Sequence, residues 1–473
     1  MTIIPVFVPP DIPTLFRELF KPDVLLEVYL EKFTNAASKG VDRLNGFQYS
    51  KHVAIDVVVA SKKCLSGTFR FSPYLENLKV KGRGKPPRLI GIPTIRDRLV
   101  LHQLNKVLAV AFPECVPRNI ANHYVRTIAI DLASKVPAST YICGCDIKTF
   151  YDDIQRNRLF ILLEKRLGCP EAMSLVRHAL LTPTVSKNAR RSQYKNFMTD
   201  RGVPQGLAIS NILASIYLHE VDDAMAKMEV TYFRYVDDVL MYGDEASVRK
   251  AHRSLGARLR YRGLSLHSVG SGKTYIGPLS IPFGYLGYYF AWPKVTVRES
   301  TIERLLQTLS AKFSDYIHNK ERRLQKFKYL TPERAAEIFL LELNERISGA
   351  ISAERRYGWI AYFSQINDLT LLHRLDHTVS RMFERLADFD HQSPDGLKTF
   401  RRAYFEMKFN PMGNYVRNYD IIGTRAEKLN FLLERGRIAP GEALSDDEIN
   451  TRFDTYRRHV LSTMHSDEGV MYG

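Results

Sequence analysis

Two adjacent carboxylates, Asp237 and Asp238, stand in Tyr235-Val236-Asp237-Asp238 between two short runs rich in β-branched and aromatic residues, Thr231 to Val236 and Val239 to Tyr242. Such runs read as two strands joined by a tight turn, and the hairpin would hold both Asp side chains at an exposed tip. Carboxylate oxygens are the ligands that hard divalent cations prefer. A pair of such ions supports in-line phosphoryl transfer: one lowers the pKa of an attacking hydroxyl, the other carries a triphosphate, and the remainder is positioning and charge neutralisation. A Tyr-x-Asp-Asp tetrapeptide recurs by chance in about one chain in fifteen of this length, so its meaning depends on its company.

A third carboxylate is available upstream. Tyr141-Ile-Cys-Gly-Cys-Asp146 is an apolar run that ends in Asp146 and passes into a helix start at Phe150-Tyr151-Asp152-Asp153. Two roles are open to Asp146: a ligand facing the hairpin from the end of a buried strand, or the cap of the following helix. Between these segments, Arg201-Gly202-Val203-Pro204-Gln205-Gly206 reads as a Gly/Pro loop feeding a helix of small and apolar residues from Ser210-Asn211 to Leu218. A helix of that kind lets backbone approach a substrate closely.

In this order, these segments resemble the palm motifs of reverse transcriptases. Leu264 to Thr274, ending in Gly272-Lys273-Thr274, resembles the next palm motif, and Phe283-Gly284-Tyr285-Leu286-Gly287-Tyr288 resembles the primer-grip turn. Upstream, Arg88-Leu89-Ile90-Gly91-Ile92-Pro93 through Arg96-Asp97-Arg98 resembles the fingers motif of group II intron and related bacterial enzymes. Gly272-Lys273-Thr274 also mimics the end of a nucleoside-triphosphatase P-loop, but that motif needs Gly where this chain has His267.

The resemblance implies an α+β right-hand polymerase of fingers, palm with antiparallel sheet, and thumb, followed by a helical C-terminal region. It implies that Asp146, Asp237 and Asp238 bind two Mg²⁺ ions, with Mn²⁺ as an alternative. Tyr151 falls where the family keeps an aromatic gate beneath the sugar, so dNTPs should be preferred to NTPs. Gln205 would contact the incoming nucleotide, Arg88 with Lys79 or Lys85 would grip its triphosphate, and Lys273 is a candidate for protonating the leaving pyrophosphate. A half-buried helix aromatic is the competing reading of Tyr151, and a solvated surface lysine that of Lys273.

Composition agrees with a nucleic-acid enzyme. The chain has 473 residues and a formal net charge of +17, enough length for two or three domains with their own cores. From Ser61 to Ile130 there are 13 Lys/Arg against 3 Asp/Glu. Positive charge clustered in this way attracts phosphate backbones. The five cysteines, Cys64, Cys115, Cys143, Cys145 and Cys169, form no Cys-x-x-Cys pair, which argues against a zinc site or a disulfide framework. Cys143 and Cys145 read as packing residues. No secretory signal and no membrane-spanning apolar run are apparent, and a bacterial cytoplasm is the expected setting, without a membrane partner.

The expected organisation is an N-terminal extension and basic fingers over 1–138, a palm over 139–295 with a fingers insertion at about 155–200, and a helical thumb and C-terminal region over 296–473. Ile302, Leu305, Leu306, Leu309, Phe313, Tyr316 and Ile317 mark one helical face, and Thr331-Pro332-Glu333 reads as an N-cap with Pro in the first turn. Bases interleave with aromatics at Lys326 to Tyr329, Arg355 to Trp359 and Arg401 to Phe405, where helix faces would track a duplex or stack unpaired bases.

No ribonuclease H pattern or Cys/His nuclease motif is recognisable, and Asn122-His123-Tyr124-Val125-Arg126 stands where the family has small-Tyr-Gly-Phe-Arg. That departure bears on how the fingers seat the template. The form of residues 205–214, with Tyr357-Gly358-Trp359-Ile360, is similar to bacterial abortive-infection and defence-associated reverse transcriptases. This implies DNA copied from a dedicated structured non-coding RNA in antiphage defence, with a homo-oligomer or a neighbouring defence protein as further partners. Template-independent or protein-primed synthesis, for which Tyr472 offers a hydroxyl, and a catalytically silent, maturase-like RNA-binding factor are the alternatives.

Overall fold

A computed structural model describes residues 11–79, 86–117, 119–410 and 413–467. Contacts gather them into two units, one of residues up to 118 with 139–277, the other of 119–138 with 278 onward. This division differs from the boundaries expected of fingers, palm and thumb. Helix Ala121–Ala133 belongs to the second unit, where Asn122 donates to the Ala361 carbonyl (2.9 Å) and accepts from Tyr288 (3.0 Å). The 283–297 strands join it too, with Trp292 Nε1 on the Leu132 carbonyl at 3.1 Å. The α+β class and the helical C-terminal region are as expected.

In the first unit, β1 (Tyr74–Lys79) and β2 (Arg88–Ile92) form an antiparallel hairpin. β3 (Tyr141–Asp146) is the centre of a second sheet, and β4 (Thr184–Val185) extends the first by pairing in parallel with β1. β5 (Thr231–Tyr235), β6 (Asp238–Gly243) and β7 (Tyr275–Pro278) complete the second sheet in the order β5-β6-β3-β7. One face of β3 carries Cys143 and Cys145 into a core shared with Val239 and Met241 of β6 and Leu213, Ile216 and Tyr217 of helix Ser210–Ala226. Each such apolar side chain, fully buried, stabilises the unit by roughly 1.5–3 kcal/mol.

Helix Ile95–Ala111 crosses the same core, capped by the Thr94 hydroxyl on the Asp97 amide. Asp97 is wholly buried, accepting from Arg96 (2.7 Å) and from the Ser72 amide (2.8 Å). Arg98 donates to the Pro93 and Ser38 carbonyls. The charged end of the fingers motif therefore fixes the β2-to-helix corner.

In the second unit, β8 (Phe283–Tyr285), β9 (Tyr288–Ala291) and β10 (Lys294–Val297) form an antiparallel meander. Its first turn is Leu286-Gly287, with positive φ at both residues (50° and 82°), the backbone demanded by a two-residue type I′ hairpin. Helices follow. In Glu299–Lys326, residues Ile302, Leu305, Leu309, Phe313 and Tyr316 are buried, while Ile317 is exposed. Thr331 caps Pro332–Ser348 by accepting from the Arg334 amide, with Pro in the first turn as expected. Phe313, Tyr316, Phe339, Phe383 and Phe389 interlock edge-to-face and stacked. The interleaved aromatics divide: Trp359 and Tyr404 are buried, Phe405 is exposed.

Candidate active site

The hairpin places its carboxylates through strand register. Asp146 at the end of β3 pairs with Asp238 at the start of β6, and Asp238 pairs with Tyr235 at the end of β5. Val236 and Asp237 are thus the two loop residues, and the expectation of both Asp at an exposed tip is corrected: Asp238 belongs to β6, and both carboxylates are half-buried because the turn folds against β3. Val236 has φ 57°, a genuine outlier for a β-branched side chain. The strain is held by Arg234, whose Nη1 donates to the Val236 carbonyl at 2.9 Å and whose Nε donates to Asp222 at 2.7 Å. Tyr232 donates to the same Asp222 oxygen at 2.8 Å. From the other side, the Ile147 amide donates to the Asp237 carbonyl at 3.0 Å.

Asp146 is not a helix cap: the residue before helix Phe150–Asp153 is Thr149, and the His267 amide donates to the Asp146 carbonyl at 3.1 Å. Its carboxylate instead receives the Lys273 ammonium in a short ion pair, with His267 Nε2 at 3.5 Å. Lys273 is half exposed yet partnered, and it sits in a loop leading into β7, with no helix following as a P-loop would require. Burial, then the charge of Asp146, pushes the Asp237 carboxyl above the usual range, and Arg88 and Lys273 pull the other way. Burial and the Lys273 charge push the His267 imidazole down.

The Gly/Pro loop joins the remaining candidates. The Val203 amide donates to the Tyr151 carbonyl (2.7 Å) and the Gly202 amide to the Ile154 carbonyl (2.8 Å), while the Gly91 amide of β2 donates to the Gln205 carbonyl (2.8 Å). Gly206 has φ 99°, and a Cβ there would stand 2.6 Å from Ile90 Cγ2 and 2.8 Å from the Gly91 carbonyl oxygen, so only glycine lets the loop meet β2. Ile90 and Arg88 share a face of that strand by alternation, and Lys79 lies opposite Arg88 across the hairpin. Gln205 lines a cleft of about 300 Å³ with Leu89, Asp152 and Arg201. Lys85 lies outside the described residues.

Tyr151 is buried, and its hydroxyl donates to Asn211 Oδ1 at 2.5 Å. Burial and the charge of Asp237 push that phenol up, while Arg88 and Arg234 oppose them. Tyr151, Arg88, Lys273, Asp146 and Asp237 thus act on one another electrostatically. Gln205 and Lys79 join through β2 by backbone pairing.

Residues 80–290 match the family model described as "Reverse transcriptase (RNA-dependent DNA polymerase)". The chain carries a reverse transcriptase domain. It is similar to the group II intron-encoded protein LtrA of Lactococcus lactis subsp. cremoris, with 26% identity over 232 residues covering 46% of this chain and 36% of that protein. It is also similar to the uncharacterized 91 kDa protein in cob intron of Schizosaccharomyces pombe, at 31% over 195 residues, covering 40% and 22%. The chain therefore spans about a third or less of the length of these curated relatives. Among solved structures, telomerase from Candida albicans with a fragment of telomeric RNA matches with TM-score 0.43 and 13% identity, over 73% of this chain and 68% of that one.

A reverse transcriptase domain implies divalent metal, and the donor chemistry fits. The three carboxylates are hard oxygen ligands, and burial followed by the charge of Asp146 disfavours ionisation of Asp237, a cost that a bound cation would offset. The Lys273 ammonium lies on Asp146 as a cation would. Among the described residues no three His, Cys, Asp or Glu side chains are drawn into one ligand set; Asp146, Asp237 and Asp238 are the residues that would hold the metal.

Four residues that complete this site carried no role in the sequence reading. Arg234 directly precedes the hairpin tyrosine, and a base next to two acids was the available signal. Asn211 stood inside a motif without a partner. Asp222 lies a helix away, and His267 had served only to break the P-loop spacing.

Proposed function

We propose that the protein is an RNA-directed DNA polymerase that extends a primer with dNTPs. The observation that carries this reading is the cross-strand pairing of Asp146 with Asp238, with Asp237 in the adjoining turn, inside a reverse transcriptase domain. Two Mg²⁺ ions on these carboxylates would activate the primer hydroxyl and neutralise the triphosphate. The chain's own residues do the rest. Arg88, on the face of β2 shared with Ile90, supplies positive charge for the triphosphate together with Lys79. Gln205, whose carbonyl is held by the Gly91 amide, would contact the incoming nucleotide, and the ring of Tyr151 would occupy the space a ribose 2′-hydroxyl needs. Lys273, which would be freed from Asp146 if a metal cation took its place on the carboxylate, is the candidate to protonate the leaving pyrophosphate.

The template in this proposal is a dedicated structured non-coding RNA and the setting antiphage defence, supported by the form of residues 205–214 and of Tyr357 to Ile360. Tyr472, the hydroxyl considered for protein priming, lies outside the described residues. Among the described residues no helix is long and apolar enough to cross a membrane. The test is to purify the protein with its accompanying RNA, supply Mg²⁺ and labelled dNTPs, and sequence both RNA and product beside an Asp237→Ala/Asp238→Ala control. DNA complementary to one bound RNA, absent in the control, is expected. DNA without a matching RNA would replace templated with untemplated synthesis, and tight RNA binding without incorporation would overturn the polymerase reading.

A further inference from the structure

Helix Phe400–Phe409 buries Phe400, Ala403, Tyr404 and Met407 and turns Phe405 and Phe409 outward. The two rings are 39% and 68% exposed, although each would gain by burial. They lie one helical turn apart, with centroids 6.0 Å apart and planes within 25° of parallel. Arg401 stands one turn before Phe405 on the same stripe by spacing, and the Lys408 ammonium lies 5.7 Å from the Phe409 centroid. Arg402 covers the Tyr415 ring at 4.6 Å. Arg401, Arg402, Phe405 and Phe409 border a groove of about 730 Å³ between this helix and Leu369–Met382.

The acids of the groove are already engaged. Asp376 accepts from the Phe400 and Arg401 amides at 2.6 and 3.2 Å, and Glu406 accepts from Asn410 at 2.8 Å and pairs with Arg402 at 3.4 Å. The two helices carry Arg374, Arg381, Arg401, Arg402 and Lys408 against only those acids. Parallel exposed rings flanked by guanidinium and ammonium groups suit a ligand with flat π-faces and regularly spaced negative charge.

We infer that the Phe405/Phe409 face is a stacking platform for unpaired nucleotides, holding a single-stranded segment of nucleic acid outside the reverse transcriptase domain. Base–aromatic stacking is sequence-tolerant and is reinforced by nearby Arg and Lys. The inference rests on the nucleic-acid reading of the chain but not on catalysis.

The experiment is fluorescence anisotropy of the full chain with labelled single-stranded RNA, single-stranded DNA and an RNA–DNA duplex, without Mg²⁺ or dNTPs. Phe405→Ala/Phe409→Ala should weaken single-strand binding by about tenfold or more and leave duplex binding within about twofold. Phe405→Tyr/Phe409→Tyr should restore it, and Phe409→Trp should be quenched on adding the single strand. Equal affinities for wild type and the Ala variant, an equal loss for duplex and single strand, or no quenching would overturn the platform. Incorporation by the Ala variant on a pre-formed primer–template is expected to be unchanged. Because binding is read without dNTPs, absence of polymerase activity in wild type would count against the proposed function and leave the platform to be judged by anisotropy alone.

Discussion

The Arg234 guanidinium donates to the Val236 carbonyl at 2.9 Å while its other edge is held by Asp222. The strained loop residue and the ion pair are therefore one device, because the planar fork of the guanidinium grips Asp222 along one edge and holds its remaining nitrogen in a fixed direction on the carbonyl, a geometry the compact, freely rotating ammonium of lysine does not impose. Releasing the carbonyl would let the turn relax away from φ 57° and move Asp237 with it. Arg234→Lys and Asp222→Asn are expected to lower the rate of incorporation about ten- to a hundredfold, with KM for dNTP changed by less than about threefold and RNA affinity retained. Single-turnover incorporation on a fixed primer–template separates these quantities. A rise in KM alone would show that Arg234 serves nucleotide binding instead.

Asn211 fixes the phenol of Tyr151 at 2.5 Å, which limits how far the ring can swing. If that ring closes the space beside the sugar, Tyr151→Ala should raise rNTP use relative to dNTP by about tenfold or more, a loss of at least about 1.4 kcal/mol of discrimination. Asn211→Ala should relax discrimination in the same direction but less, since the ring remains. Competition between matched rNTP and dNTP measures both, and unchanged selectivity in Tyr151→Ala would remove the gate assignment.

Asp237 carries a folded-state pKa raised by burial and by Asp146, above an unfolded value of about 3.9. The folded protein therefore holds this proton more tightly than the unfolded chain, and stability falls as pH rises through that window. At neutral pH without metal, Asp237→Asn should melt at or above wild type, and the gap should close toward pH 4. The same substitution should lower incorporation at least about a hundredfold and abolish the Mg²⁺-dependent rise in melting temperature expected of wild type. Melts with and without Mg²⁺ at two pH values check each sign, and an equal Mg²⁺ response in the variant would exclude Asp237 as a ligand.

Much of this site was legible because it depends on local pattern. The two strand-forming runs located β5 and β6 to within a residue: β6 extends one residue beyond each end of Val239 to Tyr242, and Val236 has a strand former's side chain in a turn conformation that Arg234 enforces from outside. The loop Gly202 to Gly206 was legible as a loop. Its docking on β2 was not, because that depends on a Cβ-free approach between segments more than a hundred residues apart. Arg96 and Asp97 read as part of a functional motif but are committed to a buried corner. The aromatics of the C-terminal region could not be sorted from sequence alone: Tyr404 and Phe405 are neighbours, and only the packing of helix Phe400–Phe409 decides which faces the core.

Lys398 supplies a prediction in the C-terminal region. Its ammonium donates to the Tyr415 carbonyl and lies 4.8 Å from the Tyr415 ring centroid. Burial and the charge of Arg417 push its pKa down to about 8, with Arg435 and Arg402 adding to the shift and Glu345 opposing it. The unfolded value is about 10.4, so between these limits the unfolded chain binds more protons and stability rises with pH. The cost of the buried charge is complete below about pH 8 and fades toward pH 10. Lys398→Met removes that cost and keeps the side-chain bulk. Its melting temperature relative to wild type should be higher at pH 7 than at pH 9.5 by about 2–4 °C, whatever constant offset the lost hydrogen bond introduces. Paired thermal melts at the two pH values decide it, because a difference that does not change with pH would mean that Lys398 keeps its proton throughout.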